Sequence, residues 1–104
     1  MRGEVWDVRF PAPVNLHPAV VMSANVLRPR LSSVTVVVIT GSAGPTSTHV
    51  TWDADSGLSG HAVSYATATD IHTIPTARLH RKRGRLSEGE LRALEAAVRL
   101  VLAL

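Results

Sequence analysis

Cysteine is absent from the 104 residues, aromatic side chains make up only 4% of them, and the apolar runs are short. Without thiols there is no disulfide scaffold, no thiolate zinc site and no cysteine nucleophile. Runs such as Ala19-Val20-Val21-Met22 and Val36-Val37-Val38-Ile39 fall far below the roughly 18 residues of a membrane span. No basic start followed by an apolar stretch reads as a signal peptide. The five histidines, His17, His49, His61, His72 and His80, show no H-x-H, H-x-x-x-H or H-E-x-x-H spacing that would put two imidazoles on one metal from one element. There is no G-x-S-x-G elbow and no G-x-G-x-x-G, and Gly41-Ser42-Ala43-Gly44 is too short for a phosphate loop and lacks its lysine. The acidic residues Glu4, Asp7, Asp53, Asp55 and Asp70 form no adjacent pair suited to glycosidase or two-metal chemistry. The expectation is a soluble, cytoplasmic, single domain over residues 1–104, with no metal, no cofactor and no membrane partner.

What is present is charge in one place. Net charge is +3, yet Arg78, Arg81, Lys82, Arg83 and Arg85 carry five positive charges with no acid among residues 78–85. A compact basic stretch on an otherwise slightly acidic chain fits a phosphate-bearing partner or an acidic protein. It is equally consistent with a solvated face.

The first two thirds of the chain alternate with period two between Gly, Pro, Ser and Asn punctuation, the pattern of a small antiparallel sheet or barrel. Trp6, Val8 and Phe10 share a face of a strand over 4–10 that ends at Pro11 and Pro13, and Trp6 and Phe10 are expected in the core. Residues 18–23 and 34–40 are β-branched and continuously apolar, as central strands covered on both faces are. Residues 41–47 form a loop and a candidate site, followed by a short strand bearing Val50 and Trp52. Asp53-Ala54-Asp55-Ser56-Gly57 resembles the start of a calcium loop, but Ser64 occupies the twelfth position where a bidentate glutamate is needed; it reads as a turn. Residues 61–66 and 69–74 are expected as separate strand pieces, and the basic stretch as an edge strand or loop. Ser87 and Glu90 form a capping box, and Leu91, Leu94, Val98 and Val101 follow at helical spacing. That stripe is expected to pack on the sheet, although Leu100, Leu102 and Leu104 widen it toward a partner-helix reading.

Met1-Arg2-Gly3-Glu4-Val5-Trp6 resembles the M-R-R-G-E-V-W opening of the MazF/PemK toxin family. His17 to Asn25 is similar to that family's R-P-V-V-V-x-S-N segment, and Val36 to Gly41 to its V-V-V-P-L-T strand end. Thr48-His49-Val50 resembles its next strand, Thr69-Asp70-Ile71-His72-Thr73 its E-Q-I-R-T, and Gly84-Arg85-Leu86-Ser87 the G-x-L-S before its last helix. The resemblance implies a mainly β fold with a C-terminal helix, an SH3-like small β-barrel, and a homodimer that is the toxin of a type II toxin-antitoxin system. It further implies metal-independent cleavage of single-stranded RNA and inhibition by a cognate antitoxin. Carried over residue by residue, it makes His17 and Thr40 the catalytic pair. Asn15, Ser42, Asp70 and His72, with Arg78, Arg81 and Lys82, become the substrate-binding candidates.

Two positions depart from the family pattern, with His17 and His72 standing where it has arginine. RNA cleavage through the 2′-hydroxyl needs a base for that proton, an acid for the leaving oxygen and donors for the phosphorane charge. Imidazole suits proton transfer near neutral pH, whereas arginine stays charged. Trp52 and Tyr65 remain candidates for stacking on bases. The same departures, and a short loop from Pro11 to Leu16, leave room for a relative that has kept the fold as a binding module without catalysis. A gyrase poison of the CcdB type fits less well, because residues 99–104 contain no aromatic residue at the helix tip.

Overall fold

Among the described residues, period-two alternation builds six antiparallel strands, and the 3.6-residue repeat at the end builds one α-helix. In this computed structural model the described residues are 1–25, 32–52 and 63–104. The strands are β1 (Glu4–Arg9), β2 (Leu16–Val21), β3 (Ser33–Thr40), β4 (His49–Trp52), β5 (Ser64–Pro75) and β6 (Leu79–Arg85), and the helix is α1 (Glu88–Leu102). They form one sheet in the order β4-β5-β3-β2-β1-β6. Among the described residues β4 and β6 are its two edges, so no ladder between them closes the barrel-like sheet. The basic stretch is thus the edge strand β6, where charged side chains discourage further strand pairing.

Alternation gives the sheet two apolar faces. On one, Val5, Val20, Val37, Ile39, Trp52, Ala66 and Ala68 are buried with Leu86 and with Leu94 and Ala97 of α1. On the other, Val8, Ala19, Val21, Val34, Val36 and Ile74 are buried beneath Met1, Trp6, Phe10 and Leu79. Both faces of β2 and β3 are therefore covered, as their continuous hydrophobicity requires. Gly3 adopts φ +84° and passes so close to the helix that a Cβ there would lie 3.2 Å from Leu91 Cδ2. Its carbonyl accepts from Leu86 N–H at 2.8 Å, which ties the start of β1 to the entry of α1. The capping box forms, with Glu90 N–H donating to Ser87 Oγ at 3.1 Å and Ser87 N–H donating to Glu90 Oε1 at 2.7 Å.

Several sequence expectations need correction. Residues 64–75 are one strand, not two pieces: Val37 faces Ile71 whereas Ile39 faces Ala66, so β5 carries extra residues between these pairs. Residues 67–70 are this irregularity; β4 supports it by pairing His49 with Thr67, and the Thr48 carbonyl just before β4 accepts the Ala68 N–H at 2.8 Å. Strand β2 begins at Leu16 and ends at Val21 instead of covering 18–23. Trp52 is only 1% exposed and belongs to the core beneath α1, so it offers no stacking surface. Val101 is exposed, because contact with the sheet ends with Val98 and the last turn of α1 runs past it. The turn expected at Asp53–Gly57 lies outside the described residues.

Candidate active site

A proline inside a central strand creates the site's first feature. Met22 N–H donates to the Thr35 carbonyl at 2.8 Å, and in an antiparallel ladder such pairs recur at every second residue. Continuing inward through Val20 and Val37 reaches Pro18 opposite Ile39. There the N–H of residue 18 would donate to the Ile39 carbonyl, but proline has none. The His17 ring supplies the missing donor, with Nε2 lying 2.6 Å from Ile39 O. A carbonyl only accepts, so Nε2 carries a proton and Nδ1 is the nitrogen left over. Extended two residues beyond the Ala19–Val38 pair, the same register would bring His17 level with Thr40, the last residue of β3.

Thr40 ends its strand with a local bond, its Oγ1 accepting from the Ser42 N–H at 3.2 Å. The hydroxyl proton remains free to donate elsewhere. Across the next ladder Thr40 faces Tyr65 of β5. Tyr65 in turn meets His49 edge-on at a centroid distance of 6.3 Å, and His49 Nδ1 lies 2.9 Å from Thr48 Oγ1. The His49 ring fills the space where a Gly44 Cβ would stand, so the loop of residues 41–47 rests on this aromatic pair.

On β5, positions 70 and 72 share a face and lean together. His72 Nε2 lies 2.6 Å from Asp70 Oδ1, with both side chains about half exposed. A carboxylate only accepts, so Nε2 again carries the proton and Nδ1 is left over. Phe10 meets the His72 ring edge-on, with centroids 5.4 Å apart and planes at 65°. His17, Asp70 and His72 together line a cleft of about 450 Å³, walled by Phe10, Pro11, Val14 and Val38. It lies on the sheet face opposite α1. A second cleft, of about 410 Å³, opens between α1 and the sheet beside the Arg2–Glu95 ion pair. No histidine lines it, so groups able to exchange protons near neutral pH concentrate in the first.

Thr40, Ser42 and the remaining sequence candidates do not line this cleft. Asn15 holds φ 58° in the β1–β2 turn, its carbonyl accepting from Phe10 N–H at 2.8 Å and its amide donating to Pro13 O at 3.4 Å. Arg78 Nη1 donates to the Arg9 carbonyl at 3.1 Å, next in sequence to Phe10. Arg81 stands opposite Asp7 on the edge strand. Lys82 is held 3.0 Å from Glu4 Oε2. Burial alone would raise the Glu4 carboxyl, but hydrogen bonds from Lys82 and Trp6, with the charges of the Met1 ammonium and Lys82, outweigh it and hold its pKa below the usual value. Arg83 is likewise paired with Asp7 at 3.3 Å. Sequence reasoning missed four lining residues: Phe10, assigned to the core, and Pro11, Val14 and Val38. Phe10 follows the last paired residue of β1, and this end position was the available signal that its half-buried ring could also wall a cleft.

Comparison with known proteins agrees with this architecture. The family described as PemK-like, MazF-like toxin of type II toxin-antitoxin system matches residues 1–102. Among solved structures, the Mycobacterium tuberculosis toxin MazF-mt6 is similar at 28% identity and TM-score 0.85, with 97% of each chain covered. An endoribonuclease in complex with its cognate antitoxin, from a mycobacterial species, shares the fold at TM-score 0.83 and 21% identity, covering 100% of this chain and 95% of that one. MazF in a MazE–MazF structure from Deinococcus radiodurans shares it at TM-score 0.81 and 16% identity, covering 99% and 94%. Among curated proteins none matches the chain. With the family matched over nearly its whole length, the chain belongs to the PemK-like, MazF-like toxins of type II toxin-antitoxin systems.

Proposed function

We propose that the chain is an endoribonuclease that cuts single-stranded RNA through the RNA's own 2′-hydroxyl, without a metal, and that a cognate antitoxin restrains it. The observation that carries this reading is the pair of imidazoles, His17 and His72, on one cleft. One neutral imidazole takes the 2′-hydroxyl proton as O2′ attacks phosphorus, forming the cyclic 2′,3′-phosphate. The other, as imidazolium, gives its proton to O5′ as the P–O5′ bond breaks. The Thr40 hydroxyl donates to a non-bridging oxygen, where charge accumulates in the phosphorane. An acid and a base near neutral pH are all that this transesterification requires of proton transfer.

Arg78, adjacent to Arg9 and Phe10, is the basic candidate nearest the cleft for a flanking phosphate. Lys82 has its ammonium engaged by Glu4, so its share of strand binding is smaller. Ser42, just after the end of β3, and Asn15, in the β1–β2 turn beside Val14, are the polar candidates for flanking nucleotides. A second copy of the chain and an acidic antitoxin are the protein partners this reading implies.

The test is incubation of purified protein with a long unstructured RNA, in EDTA, from pH 5 to pH 9, beside His17→Ala. Expected are site-specific cuts ending in cyclic phosphate, about 10²-fold slower or more in the variant, with a rate that declines in alkali as imidazolium is lost. Unchanged cleavage by His17→Ala, or a rate that climbs steadily through alkaline pH, refutes the mechanism. Binding of an acidic antitoxin peptide with no cleavage at any pH would replace it with a non-catalytic binding module.

A further inference from the structure

His72 and Asp70 form a unit that the family pattern lacks. In the matching E-Q-I-R-T segment the chain carries Asp for Gln and His for Arg, two positions apart on one strand and therefore on one face. The two exchanged side chains meet, Nε2 to Oδ1, at 2.6 Å. The other ring of the cleft has a different kind of partner. His17 donates to a backbone carbonyl, which is neutral, whereas His72 donates to a carboxylate, which is an anion. A carboxylate fixes the tautomer and orientation of the ring it accepts from, and it stabilises the imidazolium form of that ring. A neutral carbonyl fixes the tautomer and supplies no counter-charge.

We infer that Asp70 is the positioning residue for His72, and that it commits His72 to the role of general acid and leaves the role of base to His17. This rests on the ribonuclease reading above. In the step, His72 enters as imidazolium with its Nε2–H on Asp70. The Nδ1 proton passes to O5′ as the P–O5′ electron pair settles on that oxygen. His17 enters neutral with its Nε2–H on the Ile39 carbonyl, and its Nδ1 takes the proton from O2′. Both transfers occur at Nδ1, the nitrogen that no hydrogen bond holds among the described residues. The groups facing His72 are few. Its own strand offers Asp70, β2 offers His17, β3 offers Val36 and Val38, and the turn after β1 offers Phe10, whose edge contact holds the ring plane. Asp70 is thus the sole carboxylate lining the cleft among the described residues.

A sulfur substitution separates this role from a structural one. Once the cleavage site is mapped on unmodified RNA, the same sequence is made with the scissile O5′ replaced by sulfur, a leaving group that departs without a proton. Single-turnover rates are measured on both RNAs for wild type, Asp70→Asn, Asp70→Glu and His72→Ala. The expectation is a loss of about 10²-fold for Asp70→Asn on ordinary RNA, with KM unchanged and little loss on the sulfur RNA. His72→Ala shows the same split, and Asp70→Glu recovers part of the rate. Because Asp70 is about half exposed, thermal melting of the variants should match wild type. Equal losses on the two RNAs, a loss in KM alone, or no loss would each overturn the assignment. His17→Ala, slow on both RNAs, serves as the control for the base. A wild-type chain that cuts neither RNA overturns the ribonuclease reading itself and with it the acid assigned to His72.

Discussion

Pro18→Ala tests the link between a missing backbone donor and the placement of His17. Alanine in place of the proline restores an N–H aimed at the Ile39 carbonyl, which the His17 ring occupies at 2.6 Å. An intramolecular hydrogen bond contributes about 1 kcal/mol net, with a range of roughly 0.5–1.5. If the ladder bond displaces the ring with that advantage, the displaced form is favoured about fivefold, and His17 keeps its position about one sixth of the time. Cleavage should then fall by roughly sixfold, within a range of about three- to fourteenfold. Global stability should change little, because the entropy that proline removes from the unfolded chain, worth about 0.4–1 kcal/mol, is offset by the new ladder bond. The assay has two parts. Amide exchange reads protection of the restored N–H in the Pro18→Ala variant, and long-range proton–nitrogen NMR reads whether the His17 Nε2 proton is still held. Protection of that new amide beside a His17 ring still bonded to Ile39 would refute the competition, since it would show the carbonyl serving both donors with its two lone pairs. Free exchange of the new amide would refute the register extension from which the argument starts.

Two further substitutions test the frame that holds the cleft. Gly3→Ala forces a side chain into φ +84° and sets its Cβ 3.2 Å from Leu91 Cδ2, so urea unfolding should show a loss of about 1–2 kcal/mol; an unchanged midpoint would contradict the tight passage under α1. Glu4→Gln should flatten the acid limb of the stability curve. Because the Glu4 pKa is held below its ordinary value, its carboxylate stabilises the fold above the ordinary carboxylate range, and that contribution is lost as pH falls through the folded value. Wild type should therefore exceed Glu4→Gln in melting temperature at pH 7 and converge with it in strong acid; parallel curves would show that the Lys82 and Trp6 bonds do not favour the charged form.

The parts of this fold legible in the sequence are those fixed by neighbours in the chain. The capping box of Ser87 and Glu90 and the alternation of Trp6, Val8 and Phe10 with Asp7 and Arg9 are local patterns with local causes. The continuity of β5 was not legible, because Thr67, Thr69 and Asp70 read as a break. Pairing with β4 and the irregular register against β3 hold them in the strand, and both depend on residues far away in sequence. Trp52 left its expected surroundings for a similar reason. Pairing of Trp52 with Ser64 turns its ring beneath α1, whereas Phe10, past the end of the β1–β2 ladder, keeps its contact with the core and also walls the cleft. The i, i+2 spacing of Asp70 and His72 could be read from strand period alone. The 22-residue separation between His17 and the Ile39 carbonyl could not, although a histidine directly before a proline in a continuous apolar strand marks a donor that the ladder lacks.

A regular antiparallel sheet leaves no spare acceptors on a central strand, so a side chain that must be fixed there needs a fault in the ladder. This sheet has three faults in one neighbourhood: the missing N–H at Pro18, the end of β3 at Thr40, and the irregular stretch of β5 that precedes Asp70 and His72. The first leaves the Ile39 carbonyl to the His17 ring, and each is beside a residue proposed for chemistry. Arginine at the His17 and His72 positions would need only to be charged and near, because its proton never leaves. Histidine must also be held in one tautomer with a chosen nitrogen free. The Ile39 carbonyl and the Asp70 carboxylate supply that constraint, one for each ring. The two histidines thus sit where the sheet can hold them, which is the physical condition for reading them as a working acid and base rather than as two eroded arginines.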